Sequence, residues 1–197
     1  MITIGILAPE NHKEITKTFL DIFKTNHIIP AVKKNTKEIK KQLAFLEKNG
    51  IEYAIVIFNE QLIYPVNLDI LILDNAPNRH IITYSLVECV TSKTILVYNT
   101  DNGYLPKLDH EKAIDYGFCC NSGVTVSSIE YYKDSKSFIL YIQRPIPNIF
   151  GENISIGEIT VKRINNLDII SQLPAVISML VLNIPVHKKS SLIKLEI

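Results

Sequence analysis

The sequence has 197 residues, enough for one domain with a sizeable core. With 47% hydrophobic residues, 21% charged residues and a mean hydropathy of +0.15, it lies outside the disordered class, whose chains bury too little apolar surface to offset chain entropy. Lys+Arg 21 against Asp+Glu 20 leaves a net charge of +1, and the arginines are only Arg79, Arg144 and Arg163, so no nucleic-acid partner is expected.

Ile2–Ala8 reads as a short buried strand. Ile15, Phe19, Ile22 and Phe23 then fall on one helical face within His12–Thr25. Ile28–Val32 is strand-like, and Ile39, Leu43 and Leu46 carry a second helix from Thr36 to the stop signal Asn49-Gly50. Ile51–Phe58 and Leu68–Leu73 are apolar nearly throughout, as strands covered on both faces are. Ile81–Val90 is expected to be a helix and Thr94–Tyr98 a buried strand. This alternation predicts an α/β fold, a mostly parallel sheet flanked by helices. The pattern then changes. Ala113–Gly117, Val124–Tyr132, Ser137–Gln143 and Glu158–Arg163 read as strands with short connections, Lys133–Lys136 as a hairpin turn between two of them. A small antiparallel appendage is therefore expected in the C-terminal third. Leu167–Leu182 closes the chain as an apolar helix in which Pro174 must stand in the first turn or kink it. Without a repeat or linker, residues 1–197 are expected to form a single domain.

Several classes are excluded along the way. The longest apolar runs are far short of the roughly 20 residues of a membrane helix. The N-terminus lacks a basic start before a long apolar stretch and a cleavage site. The cysteines, Cys89, Cys119 and Cys120, are odd in number without a C-x-x-C pair. A cytoplasmic protein with reduced thiols and no membrane partner is the expectation. The five histidines are scattered without metal-ligand spacing, and no G-x-S-x-G elbow is present, so neither a metal site nor a catalytic residue is assigned.

The loop after the first strand is where an α/β protein places phosphate, because free N–H groups and the helix dipole converge there. Here it runs from Gly5 through Pro9, Glu10, Asn11 and His12 to Lys13, Glu14 and Thr16. A working phosphate loop uses glycines, a lysine and an adjacent hydroxyl. Gly5 and Lys13 fit, Pro9 removes a donor, Glu10 adds negative charge, and Glu14 stands where the hydroxyl belongs, with Thr16 three residues past Lys13. One carboxylate about 4 Å from a phosphate charge costs roughly 4 kcal/mol at an effective dielectric near 20. Bound Mg²⁺ is the one escape. The plain alternative is that Asn11 caps the helix, Glu14 completes a capping box and Lys13 is solvated.

Taken together, these segments resemble the central, ATP-binding domain of the Mur ligases, which form the amide bonds of the peptidoglycan stem peptide. The phosphate loop stands where that family has G-x-x-G-T-N-G-K-T, with Asn11, His12 and Lys13 over its N-G-K. Asp74 to His80 resembles T-N-x-x-x-D-H, matching at Asn75 and His80. Val97 to Pro106 is similar to V-x-N-x-D-D-P, matching at Asn99 and Asp101. Asp115-Tyr116-Gly117 resembles the next strand, which ends in Y/F-G, and Asn165 or Asn166, Ala175 and Ile184 keep the pattern of the family's last central helix. The departures are as telling: the family's Mg²⁺-binding Glu falls near Ile57 or Phe58, and the segment after D-H is shortened. The ligases also use an N-terminal substrate-binding domain and a C-terminal domain closing over ATP, without counterpart in these 197 residues.

The resemblance, taken with these departures, implies a non-catalytic relative and leaves enzyme activity to the alternative reading below. Such a chain would bind a partner protein or a peptidoglycan precursor, with no cofactor, and Lys13, Thr16, Asn75, His80, Asn99 and Asp101 would be the remnant of a nucleotide site. The alternative is a divergent ATP-dependent ligase or nucleotide-binding enzyme completed by a partner chain. It would hold ATP and Mg²⁺ with Lys13 and Thr16 on phosphate and Asn99 and Asp101 near the base or ribose. Exposed edge strands in the C-terminal third leave room for a homodimer.

Overall fold

A computed structural model describes residues 1–8, 11–23, 28–30, 36–58, 66–74, 90–101, 110–132, 135–162 and 168–184. In chain order the elements are β1 (Ile2–Leu7), α1 (His12–Phe23), β2 (Ile28–Pro30), α2 (Thr36–Lys48), β3 (Tyr53–Phe58), β4 (Ile70–Leu73), β5 (Ile95–Asn99) and β6 (Ala113–Tyr116). There follow β7 (Val124–Tyr132), β8 (Ser135–Ile142), β9 (Ile146–Pro147), β10 (Asn153–Ile154), β11 (Gly157–Lys162) and α3 (Ile169–Val181). Eleven strands and three helices are thus described, and most of the helix expected at Ile81–Val90 lies outside the described residues, as do Pro9, Glu10, Asn75 and His80.

Nine strands form one sheet in the order β11-β8-β7-β6-β5-β4-β1-β3-β2. From β2 through β7 every neighbouring pair is parallel, while β7, β8 and β11 pair antiparallel. The parallel sheet and the antiparallel C-terminal wing are both as the sequence predicts. The join between them is a single residue pair, Tyr116 with Val124, so β7 starts where β6 stops. β9 and β10 make a separate two-stranded sheet that the sequence reading missed, since two residues are too short to show a period.

The apolar runs divide between two faces because alternate side chains of a strand point to opposite sides. Ile4, Ile6, Ile70, Ile72, Ile95, Val97, Ile114 and Tyr116 face α1 and α3, meeting Ile15 and Phe19 of α1. Leu7, Leu71, Leu73, Leu96, Ala54, Val56 and Phe58 face Ile39 and Leu43 of α2. α2 ends as expected: Gly50 takes φ 72°, and the N–H of Ile51 reaches back to Leu46 O. α3 is buried on nearly every side, as a helix apolar all round must be. Asp168 caps it by accepting from Ile169 N at 2.8 Å. Its far end is closed by Asn183 at φ 49° and by the β9–β10 unit, where Ile149 N donates to Val181 O at 3.1 Å. Pro174 is the sixth residue of α3, beyond the first turn.

Gly5 has a different job from the one the phosphate-loop comparison gives it. It sits mid-strand in β1, opposite Val56 and Leu71, and a Cβ there would come within 2.7 Å of Leu68 Cδ1 and 2.9 Å of Phe58 Cε2. Close packing of the sheet against its cover requires the glycine.

Candidate functional site at the carboxyl ends of the parallel strands

The chain leaves β1 toward β2 on one side and reaches β4 on the other, so the crevice between β1 and β4 is the topological switch point. Ligands of open α/β sheets bind at such a point. Here it is occupied by the chain's own side chains. Asp74, directly after β4, is 1% exposed. Its Oδ2 accepts from Asn11 Nδ2 at 2.9 Å, its Oδ1 accepts from Asn99 Nδ2 at 2.6 Å, and its backbone N–H donates to Leu7 O at 2.9 Å. A buried carboxylate needs donors, and those two amides supply them from the start of α1 and the end of β5.

The network continues along the edge. Asn99 Oδ1 accepts from Asp101 N, fixing both faces of its amide. Asp101 turns its carboxylate onto the loop after β6, accepting from Phe118 N at 2.9 and 2.8 Å and from Cys119 N at 3.0 Å. Gly117 makes room: a Cβ there would lie 2.8 Å from Asp101 Cγ. Thr100 Oγ1 donates to Tyr116 O and shares a 2.7 Å hydrogen bond with Ser122. On the opposite face of β6, Asp115 accepts from Gly123 N at 3.0 Å and is paired with Arg144, whose side chain is 55% exposed. Gly123 is again the space that admits the pair, with Arg144 Nε 3.0 Å from where its Cβ would be. Each aspartate of this edge therefore ties a loop.

Tyr116 lies at the centre of the edge, fully buried, and among the described residues its hydroxyl makes no hydrogen bond. Burial pushes its pKa well above the ordinary tyrosine value, and the nearby carboxylates of Asp74 and then Asp101 push it the same way. Tyr98 is also raised, by burial first and Asp115 second, with Arg144 acting against them.

Of the nucleotide-site residues expected from the sequence, Asn99 and Asp101 are brought together but are committed to the network just described. Lys13 is exposed in the first turn of α1. Thr16 is 6% exposed, and its buried hydroxyl makes no hydrogen bond among the described residues. Asn75 and His80 lie outside the described residues. The capping arrangement expected at α1 is also altered. Asn11 O does accept from Ile15 N, but its amide nitrogen goes to Asp74, and Glu14 Oε2 accepts from Ser171 Oγ of α3 at 2.9 Å. Sequence reasoning did not find Asp74, Asp115, Gly117 or Gly123 as a set. The signal for the glycines is their place beside strand-end aspartates, a pairing visible only once β5, β6 and β7 are adjacent.

Among the described residues no group of three or more His, Cys, Asp or Glu side chains could hold a metal ion. None of their helices is long and apolar enough to cross a membrane. Cys119 and Cys120 are free and exposed.

A parallel sheet with its switch point beside β1, extended by an antiparallel wing, defines a Mur-ligase-like α/β domain. The solved structure of the MurF ligase from Thermotoga maritima in complex with ADP is similar to it at a TM-score of 0.55 and 14% identity, over 92% of this chain and 45% of that one. The chain thus spans about half the length of that ligase, and at this identity the likeness is one of fold. No family model and no curated protein matches the sequence.

Proposed function

We propose that this chain is a single-domain, cytoplasmic binding module on a Mur-ligase-like fold, without ligase activity, and that it recognises a partner protein or a peptidoglycan precursor. The observation supporting this reading is the buried Asp74, held by Asn11 and Asn99 at the switch point. A polyphosphate bound there needs N–H donors and positive charge. It would meet a carboxylate, and the side-chain amides of Asn11 and Asn99 are already spent. Asp101 and Asp115 extend the acidic character along the edge, the latter paired with the exposed Arg144. Isothermal titration with MgATP, MgADP and UDP-muramyl peptides tests the reading. No heat is expected with either nucleotide, and micromolar MgATP binding would overturn the non-catalytic assignment.

The alternative, a nucleotide-dependent enzyme completed by a partner chain, draws on the exposed Lys13 in the first turn of α1, where a lysine can reach an anion. ATP hydrolysis or ligation that disappears in Lys13→Ala would favour it. Behaviour unchanged by that substitution favours the binding module.

A further inference from the structure

The nine-stranded sheet has two edges of different kinds. β2 is three residues long and ends in Pro30, whose missing N–H blunts that edge. β11 has six residues, Gly157 to Lys162, with no proline. Among the described residues β8 is its sole partner strand. A regular edge of that length is a template for pairing with another strand.

We propose that β11 is a homodimer interface, through which two copies pair antiparallel about a two-fold axis at Thr160 and continue one sheet across both. The register follows from the sequence of the strand. Keeping the core-facing sides of both sheets on the same side requires the two-fold axis to pass through a residue, not between two. With Thr160 at the axis, residue 158 of one copy lies opposite 162 of the other, and 159 opposite 161. Glu158 then meets Lys162 twice, once on each side of the axis. Ile159 meets Val161 on the face where both are already buried. Moving the axis to Ile159 or Val161 brings no opposite charges together within β11.

In the register of β11 with β8, neither Glu158 nor Lys162 stands opposite a charged residue. Glu158 lies opposite Tyr141 of β8, and Lys162 lies opposite Ser137. A lysine on an edge strand ordinarily discourages pairing. Here the same lysine discourages every register except the one that sets it against Glu158, and two-fold closure stops the assembly at two chains. Opposite charges directly across an antiparallel pair stabilise it and like charges destabilise it.

Sedimentation equilibrium of the purified chain tests the interface, with circular dichroism to verify that each variant is folded. The wild type is expected to be a dimer. E158K and K162E should each weaken the dimer by about tenfold or more, because each sets two like-charged pairs across the axis. The double variant E158K/K162E should recover the wild-type affinity. Mixing the two single variants should produce a heterodimer, since the lysines of one chain then face the glutamates of the other. A wild type that stays monomeric across the accessible concentration range overturns the proposal and leaves the edge to a strand from a different protein. So does a dimer indifferent to the single substitutions, or one that neither the double variant nor mixing restores.

Discussion

Replacing Asp74 by Ala removes the acceptor on which two amides depend, and the cost can be worked from their surroundings. A hydrogen bond to a charged group contributes about 1.5–3 kcal/mol net, and a buried donor left without a partner costs its desolvation besides. Asn11 is only partly buried and can turn its amide to water, whereas Asn99 is 5% exposed and cannot. Removing the carboxylate also relieves the burial of a charge, which offsets part of the loss. The expected net destabilisation is about 2–4 kcal/mol, a fall in Tm of roughly 4–16 °C for a chain of this size. Urea unfolding, with the m-value checked for constancy, measures the first figure, and a thermal scan the second. Asp74→Asn makes the test sharper. Asn99 must keep its N–H₂ toward position 74, because its Oδ1 holds Asp101 N. The oxygen of the introduced amide therefore faces Asn99 and its nitrogen faces Asn11, whose own amide can rotate to accept. Asp74→Asn should cost only about 1 kcal/mol. An Ala variant within about 1 kcal/mol of the parent, or an Asn variant as unstable as the Ala variant, refutes the reasoning.

Because Tyr116 has a raised pKa in the folded chain, the unfolded chain gives up that proton first, and the associated stability is present below the ordinary tyrosine pKa and lost as pH rises through the folded value. Tyr116→Phe should flatten this alkaline loss, read from urea midpoints across an alkaline pH series, and should lie within about 1 kcal/mol of the parent at neutral pH, since among the described residues the hydroxyl makes no hydrogen bond. Gly117→Ala should push Asp101 off its loop and speed hydrogen exchange at the Phe118 and Cys119 amides, with unchanged protection there as the contrary result. Arg144→Ala leaves Asp115 with Gly123 N as its described donor. Because Arg144 is more than half exposed, the expected cost is only about 1 kcal/mol by urea unfolding, shrinking as salt is added.

The parallel sheet was legible because its strands are buried on both faces, which leaves continuous runs such as Ile51–Phe58 and Leu68–Leu73. The end of α2 was legible because Asn49-Gly50 states its own backbone conformation. The antiparallel wing was legible from its period of two, although β7 and β8 approach more closely than a four-residue turn allows, with only residues 133 and 134 between them. The chemistry of the edge was less so. Asp74 is 63 residues from Asn11 and 25 from Asn99 in sequence, and nothing local announces that their side chains meet. Gly5 shows the opposite hazard: in the right place for a phosphate loop, it answers instead to Leu68 and Phe58. Glu14 has the spacing of a capping box, yet Ser171 of α3, 157 residues away, donates to its carboxylate.

The late position of α3 bears on how a growing chain acquires its interior. The helix spans Ile169–Val181, and it covers a face of the sheet laid down by strands that begin at Ile2. Until the ribosome has released those turns, Val97, Ile114 and their neighbours on that side lack the cover that α3 provides. The nascent polypeptide therefore carries uncovered apolar surface on that face of the sheet until α3 emerges, the kind of surface that makes a partly folded chain prone to aggregate.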